Sequence, residues 1–234
     1  MDYKQGFADT LLKIAKRYNI DVNHSFAVEI ESLQDVIRRK TIDHITANNI
    51  EVTLENVLST LEKILSELDL TTERNSIKNL LDSQGIKDNS YVELLTGQAV
   101  LQALSDIIMK KEESVESKTA ICPVCGTETD QGFISPDGSI WLYCPLCGYT
   151  WRQSSVSHPV CPYCGMDHKE MIGILKDKTN PSVVVMLCSN CKRYWILVDE
   201  RYAKRVPRSL YPLFRSKAEK IIKYLPKEFL ENLK

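Results

Sequence analysis

The sequence predicts an α+β chain: an N-terminal α-helical bundle, two tandem four-cysteine metal ribbons, and a short helical C-terminal tail. Three observations lead there. Residues 1–118 hold no Cys, Trp or Pro and only three Gly, and their apolar residues recur at helical spacing. All eight cysteines fall in four Cys-x2-Cys pairs between Cys122 and Cys191. Beyond Glu200 the helical spacing returns in a basic stretch. The expected segments are 1–118 for the helical domain, 119–156 and 157–200 for the two ribbons, and 201–234 for the tail.

In the front segment, Phe7, Leu11, Ile14 and Ala15 form one apolar stripe. Leu54, Val57, Leu58, Leu61, Ile64, Leu65 and Leu68 form another. Thr53 and Ser25 stand where N-caps are expected. A further helix is expected from about Ser90 through Met109, carrying Val92, Leu95, Val100, Leu101, Leu104 and Ile108. Together these make an antiparallel bundle of four or five helices, long enough to bury a core of its own. The charged run Lys110–Lys118 reads as a helix end passing into a linker. In the tail, Leu213, Ala218, Ile221, Ile222 and Leu225 suggest one helix, and Pro226 starts a last short one over Lys227–Leu233.

Cys122, Cys125, Cys144 and Cys147 form C-x2-C-x18-C-x2-C, and Cys161, Cys164, Cys188 and Cys191 form C-x2-C-x23-C-x2-C. Each set offers four thiolates, which closes the first shell of a tetrahedral zinc or iron ion. Two metal ions per chain are expected, one in each set, and the spacing does not choose between iron and zinc. The N-terminus MDYKQGFADT carries no apolar signal core, and the longest apolar run, Val183 to Cys188, is too short to span a bilayer. The expectation is a cytoplasmic chain with reduced thiols, where such a pattern binds metal rather than forming disulfides.

The cysteine region is a duplication. CPVCG at 122–126 answers CPYCG at 161–165, and LYCPLCGYTW at 142–151 answers MLCSNCKRYW at 186–195. In such a knuckle the chain turns so tightly that successive N–H groups face the sulfurs, and the residue after the second Cys takes a positive φ. Gly126, Gly148 and Gly165 suit that position; Lys192 occupies it in the fourth knuckle and predicts a different or strained turn. Ile140–Tyr143 alternates like a half-buried strand after a turn at Pro136-Asp137-Gly138. Val183–Leu187 does not alternate, which predicts a strand covered on both faces, by the first ribbon or the helical domain. Trp141, Trp151 and Trp195 are expected to pack beside the metal sites.

Charge is uneven. Residues 1–118 hold 14 Lys+Arg against 20 Asp+Glu, and residues 201–234 hold 10 against 3. With the ribbons, the basic residues Arg201, Lys204, Arg205, Arg208, Arg215, Lys217, Lys220 and Lys223 suit a second reading, a nucleic-acid-binding zinc-ribbon protein. The acidic front argues against it. Iron in one four-thiolate cage would suit an electron carrier, for which the duplication is superfluous. His158 and His168 flank the third knuckle, but eight cysteines already complete two shells. No Ser/His/Asp grouping, GxGxxG or GxxxxGK[ST] is present, and no isolated Cys. A closed four-thiolate site leaves no position for substrate, so no catalytic residue and no enzymatic activity are expected.

CPVCG (122–126), LYCPLCGYTW (142–151), CPYCG (161–165) and CSNCKRYW (188–195), behind an all-helical front, resemble the formate dehydrogenase accessory protein family, the FdhE-like proteins. Leu142, Trp151 and Tyr194 fall on positions of that pattern, and the likeness covers about residues 122–197. The Trp151-to-Cys161 connection is longer than the family's, and His158 stands where an Arg is usual. The resemblance implies rubredoxin-like ribbons that bind iron, dimeric in some members. It also implies a cytoplasmic maturation factor, an assembly chaperone. Its partner would be the catalytic subunit of a molybdenum- or tungsten-dependent formate dehydrogenase or related oxidoreductase. Lys192, Arg193 and Tyr194, on the knuckle without its glycine, are the expected exposed partner contacts.

Overall fold

The computed structural model describes residues 24–111, 117–176, 181–203, 218 and 221–230. The expected stripe at Phe7, Leu11, Ile14 and Ala15, the Ser25 side chain, residues 112–116 of the charged run and the basic positions from Lys204 to Lys217 and Lys220 lie outside the described residues. The chain divides into two compact units, Met1–Glu113 with Pro145–Tyr149, and Ser114–Cys144 with Thr150–Lys234.

Four helices are described in the first unit: α1 (His24–Ala47), α2 (Val57–Glu67), α3 (Thr71–Ser83) and α4 (Ser90–Lys111). The other three pack on α4. Leu94, Leu95, Ala99, Val100, Leu101, Ala103, Leu104 and Ile108 are all buried, so α4 is apolar nearly all round, as a central core helix must be. By length and composition α4 would also cross a membrane, yet 78% of its apolar window is buried inside the fold. Ile30 and Ile37 of α1, Val57, Leu61 and Ile64 of α2, and Ile77 and Leu81 of α3 complete the core. Leu58, expected in the α2 stripe, is 53% exposed because positions 57, 61 and 64 already define the buried line. Before α2, the Asn56 N–H donates to Thr53 Oγ1 (3.3 Å) and the Thr53 N–H donates to Asn56 Oδ1 (2.8 Å). These reciprocal bonds close one turn ahead of the helix, so the N-cap position is Asn56 and not the expected Thr53, and the α-helix starts at Val57.

The buried glutamine amides inside this unit are paired. Gln34 Nε2 donates to the Leu95 carbonyl (2.9 Å) and to Gln98 Oε1 (3.3 Å), and Gln98 Nε2 donates to the Pro145 carbonyl (3.3 Å). Arg38 Nη1 donates to Gln102 Oε1 at 2.9 Å. Buried amides are tolerated here because each finds a partner.

The second unit is built on one six-stranded sheet. Its strands are β1 (Gln131–Ile134), β2 (Ser139–Tyr143), β3 (Thr150–Ser155), β4 (Ile172–Lys176), β5 (Val183–Cys188) and β6 (Tyr194–Asp199), in the spatial order β3-β2-β1-β6-β5-β4. Each cysteine repeat contributes three antiparallel strands, and the parallel pair β1–β6 joins them. The turn at 136–138 is present: Gly138 has φ +83°, and its N–H donates to the Ser135 carbonyl. In β2 only Trp141 is not fully buried, stacked on Phe133 with centroids 6.1 Å apart, so both faces of this strand are covered rather than one.

Val183, Val184, Val185 and Met186 are buried, as a doubly covered strand requires. Over Val183 and Val185 the cover differs from expectation. Ala218, Ile222, Leu225 and Phe229 of the tail join one core with Phe133, Tyr143, Val183, Val185, Tyr194, Ile196 and Val198. Their helical spacing presents one apolar line to the sheet. The described part of the tail includes α5 (Lys227–Leu230), while Leu213 and the expected continuation to Leu233 lie outside the described residues.

At the end of β6, Asp199 is fully buried and accepts both arms of the Arg201 guanidinium (2.7 Å each) and Lys176 Nζ (3.1 Å). Burial alone would raise its pKa, but Arg201 and Lys176 outweigh it and hold the carboxyl below its usual range. A carboxylate with a lowered folded pKa adds stability above its unfolded pKa and loses it as pH falls through the folded one. Asp199→Asn should therefore cost about 2 kcal/mol above roughly pH 4, a deficit that closes in more acid solution. Urea melts across pH read this directly; a pH-independent deficit would contradict it. Gly132, between β2 and β6, gives a second test. A Cβ there would lie 2.2 Å from the Trp141 carbonyl oxygen and 2.9 Å from Leu197 Cδ2. Gly132→Ala should destabilise the sheet by about 3 kcal/mol, seen as a lower melting temperature.

Candidate metal centres

The knuckles recur in one form. In the first, third and fourth, the N–H four residues after the leading Cys donates to that Cys carbonyl: Gly126 to Cys122 (3.0 Å), Gly165 to Cys161 (2.9 Å) and Lys192 to Cys188 (2.9 Å). The leading Cys N–H in turn donates to the carbonyl five residues on, in Thr127, Met166 and Arg193. The closing residue of all four knuckles is left-handed, with φ of +69° at Gly126, +74° at Gly148, +73° at Gly165 and +58° at Lys192. Lys192 thus makes the same turn as the glycines and carries its strain. Its ammonium pairs with Glu228 (3.3 Å) and lies over the Phe229 ring.

These turns aim backbone donors at sulfur. The N–H groups of Tyr163 and Cys164 serve Cys161, that of Met166 serves Cys164, and that of Arg193 serves Cys191. The structure brings Cys122, Cys125, Cys144 and Cys147 together, and separately Cys161, Cys164, Cys188 and Cys191, with the sulfurs of each set within 4.8 Å of one another. Specific sulfur pairs stand at 3.5 Å (Cys125–Cys144), 3.6 Å (Cys161–Cys191) and 3.7 Å (Cys164–Cys188). A tetrahedral ion with metal–sulfur bonds of about 2.3 Å sets its sulfurs about 3.8 Å apart, so the spacing fits one ion per set. The donor set takes Zn²⁺ or iron alike. His158 and His168 are in neither set.

Left to themselves, the second set's thiols ionise unequally. Burial pushes Cys161 up, and pushes Cys191 up to about 11. Cys164 is also opposed by burial, but the Asn190 amide, the Met166 N–H and the neighbouring thiols bring it down to about 7. A cation favours all four thiolates at once, which is why metal binding to such sites releases protons.

Supporting residues escape a reading of spacing alone. Thr127 lies 3.2 Å from Cys125 Sγ, and Asn190 Nδ2 lies 3.5 Å from Cys164 Sγ. Gln98 holds the Pro145 carbonyl inside the second knuckle. Its only sequence signal is a glutamine amid the apolar run of α4. Trp151 and Trp195, at equivalent repeat positions, are fully buried. Trp151 Nε1 donates to the Thr119 carbonyl (3.1 Å), and Trp195 meets Tyr163 edge-on.

Of the expected partner contacts, Lys192 keeps a part-exposed side chain, and the other two are differently placed. Tyr194 is buried in the sheet core. Arg193 pairs with Glu128 and stacks 3.5 Å from the Tyr163 ring centroid, while Tyr163 Oη reaches the Thr129 and Tyr194 carbonyls. These residues tie one repeat to the other because they follow a knuckle that faces the neighbouring ribbon. Lys192→Gly should remove left-handed strain worth about 1–2 kcal/mol and lose an exposed ion pair worth less than about 1. A small net rise in melting temperature is the expected outcome, and a fall would show that the Glu228 contact dominates.

No family model matches the chain, and no curated protein matches it in sequence. Among solved structures, the chain is similar to the FdhE protein from Pseudomonas aeruginosa, with a TM-score of 0.43 and 16% sequence identity over 97% of this chain and 95% of that one.

Proposed function

We propose that this chain is a metal-carrying accessory protein. It would bind the catalytic subunit of a molybdenum- or tungsten-dependent formate dehydrogenase, or a related oxidoreductase, in the cytoplasm during that enzyme's assembly. The observation that carries this reading is the pair of four-cysteine clusters formed by the motifs that resemble those of the accessory family. In it, Cys122, Cys125, Cys144 and Cys147 hold one ion and Cys161, Cys164, Cys188 and Cys191 hold the other. Each ion supplies charge neutralisation for four thiolates and ties two knuckles together. Four protein ligands fill a tetrahedral shell, so neither centre offers a place for substrate, and the chain acts by binding rather than by catalysis. The segments 1–118, 119–156, 157–200 and 201–234 are proposed as its working divisions.

Elemental analysis should find two ions per chain, and Cys161→Ala should leave one. Structural zinc sites of this type contribute on the order of 10 kcal/mol, so chelation should make residues 119–200 protease-sensitive. Affinity capture from the native host is the functional test. Recovery of a molybdenum- or tungsten-enzyme catalytic subunit supports the reading. Recovery of nucleic acid without such a subunit would replace it with the nucleic-acid-binding alternative.

A further inference from the structure

We propose that the two centres are unequal: Cys122/Cys125/Cys144/Cys147 keeps its ion, while Cys161/Cys164/Cys188/Cys191 is an exchange site for a thiophilic divalent ion, entered at Cys164. This rests on the reading that both sets hold metal.

Access separates them first. All four cysteines of the first set are buried, and so are Val124 and Leu146 inside its knuckles. In the second set Cys164 is exposed and Cys191 half-buried, beside exposed Gly165 and Asn190. Exchange at a closed four-thiolate site needs an incoming ligand to displace one sulfur from the ion. The protein shell around a site controls that approach. Only the second set presents a sulfur to solvent.

Support separates them next. In the first set Thr127 backs Cys125, and the second knuckle is gripped through Pro145 by Gln98, fully buried and itself bonded to buried Gln34. In the second set, the side chain at Cys164 Sγ is Asn190, which is exposed. The fourth knuckle closes on Lys192 in the left-handed region, so opening it releases strain that the three glycine knuckles do not hold. Exposure at one knuckle and strain at the other fall in the same set.

The test uses the full chain carrying two Zn²⁺. Zinc release to 4-(2-pyridylazo)resorcinol is followed while iodoacetamide traps freed thiols for peptide mapping. One equivalent should leave at least about tenfold faster than the other. The cysteines alkylated with it should be Cys161, Cys164, Cys188 and Cys191, with Cys164 first. In Cys164→Ser the fast equivalent should vanish and the slow one remain. A common rate for both ions, or earlier alkylation of Cys122, Cys125, Cys144 and Cys147, overturns the proposal while leaving the two-centre reading intact. A chain that never holds two Zn²⁺ overturns both.

Discussion

Four sulfurs drawn to within 4.8 Å of one another cannot all ionise without a cation, and each of the two clusters imposes that condition on the chain around it. Much of the surrounding architecture follows. Each knuckle must turn its N–H groups inward, so its closing residue is driven to a positive φ. Each pair of knuckles must meet across a hairpin, so the strands between them are held in register. An ion shared by four sulfurs would cross-link two knuckles and so add to the order that the sheet core supplies.

The duplication would make two independent ribbons if nothing joined them. They are joined by a backbone ladder and by side chains that grow from the knuckles themselves. The Ala120 N–H donates to the Pro162 carbonyl, and Tyr163 lies between Thr129 and Arg193. Residues two positions from a cysteine are thus committed to neighbour contacts, which leaves the sequence between the cysteines less free than its variety suggests.

Legibility was uneven for physical reasons. The cysteine sets, the turn at 136–138, the long apolar helix and the doubly covered β5 were readable because each depends on local spacing or local backbone geometry. The cover over Val183 and Val185 was not, since any apolar helical stripe in the chain could have supplied it and the tail did. Tyr194 and Arg193 were misplaced because aromatic and cationic residues after a knuckle suit an exposed patch and an internal joint equally well. Leu58 shows the same limit: a stripe wider than the buried face leaves its flank to be settled by packing. Which ion each cluster prefers is not written in four identical donors.

The sheet reads third, second, first strand of one repeat and then third, second, first strand of the other, with β1 and β6 parallel. The repeats are therefore related by translation along the sheet, not by a two-fold rotation. A translational joint does not close on itself: the outer edges of β3 and β4 correspond to the two edges that meet in the middle. Such a series would continue if its ends resembled its centre. They do not. The position on β4 that corresponds to Gly132 is Ile174, and the register of β3 shifts by one residue against Ile140 and Trp141, leaving Arg152, Ser154 and Ser155 where β6 carries Ile196, Leu197 and Val198. An irregular polar strand is a poor template for another. A duplication that could have become an array is thereby confined to a pair.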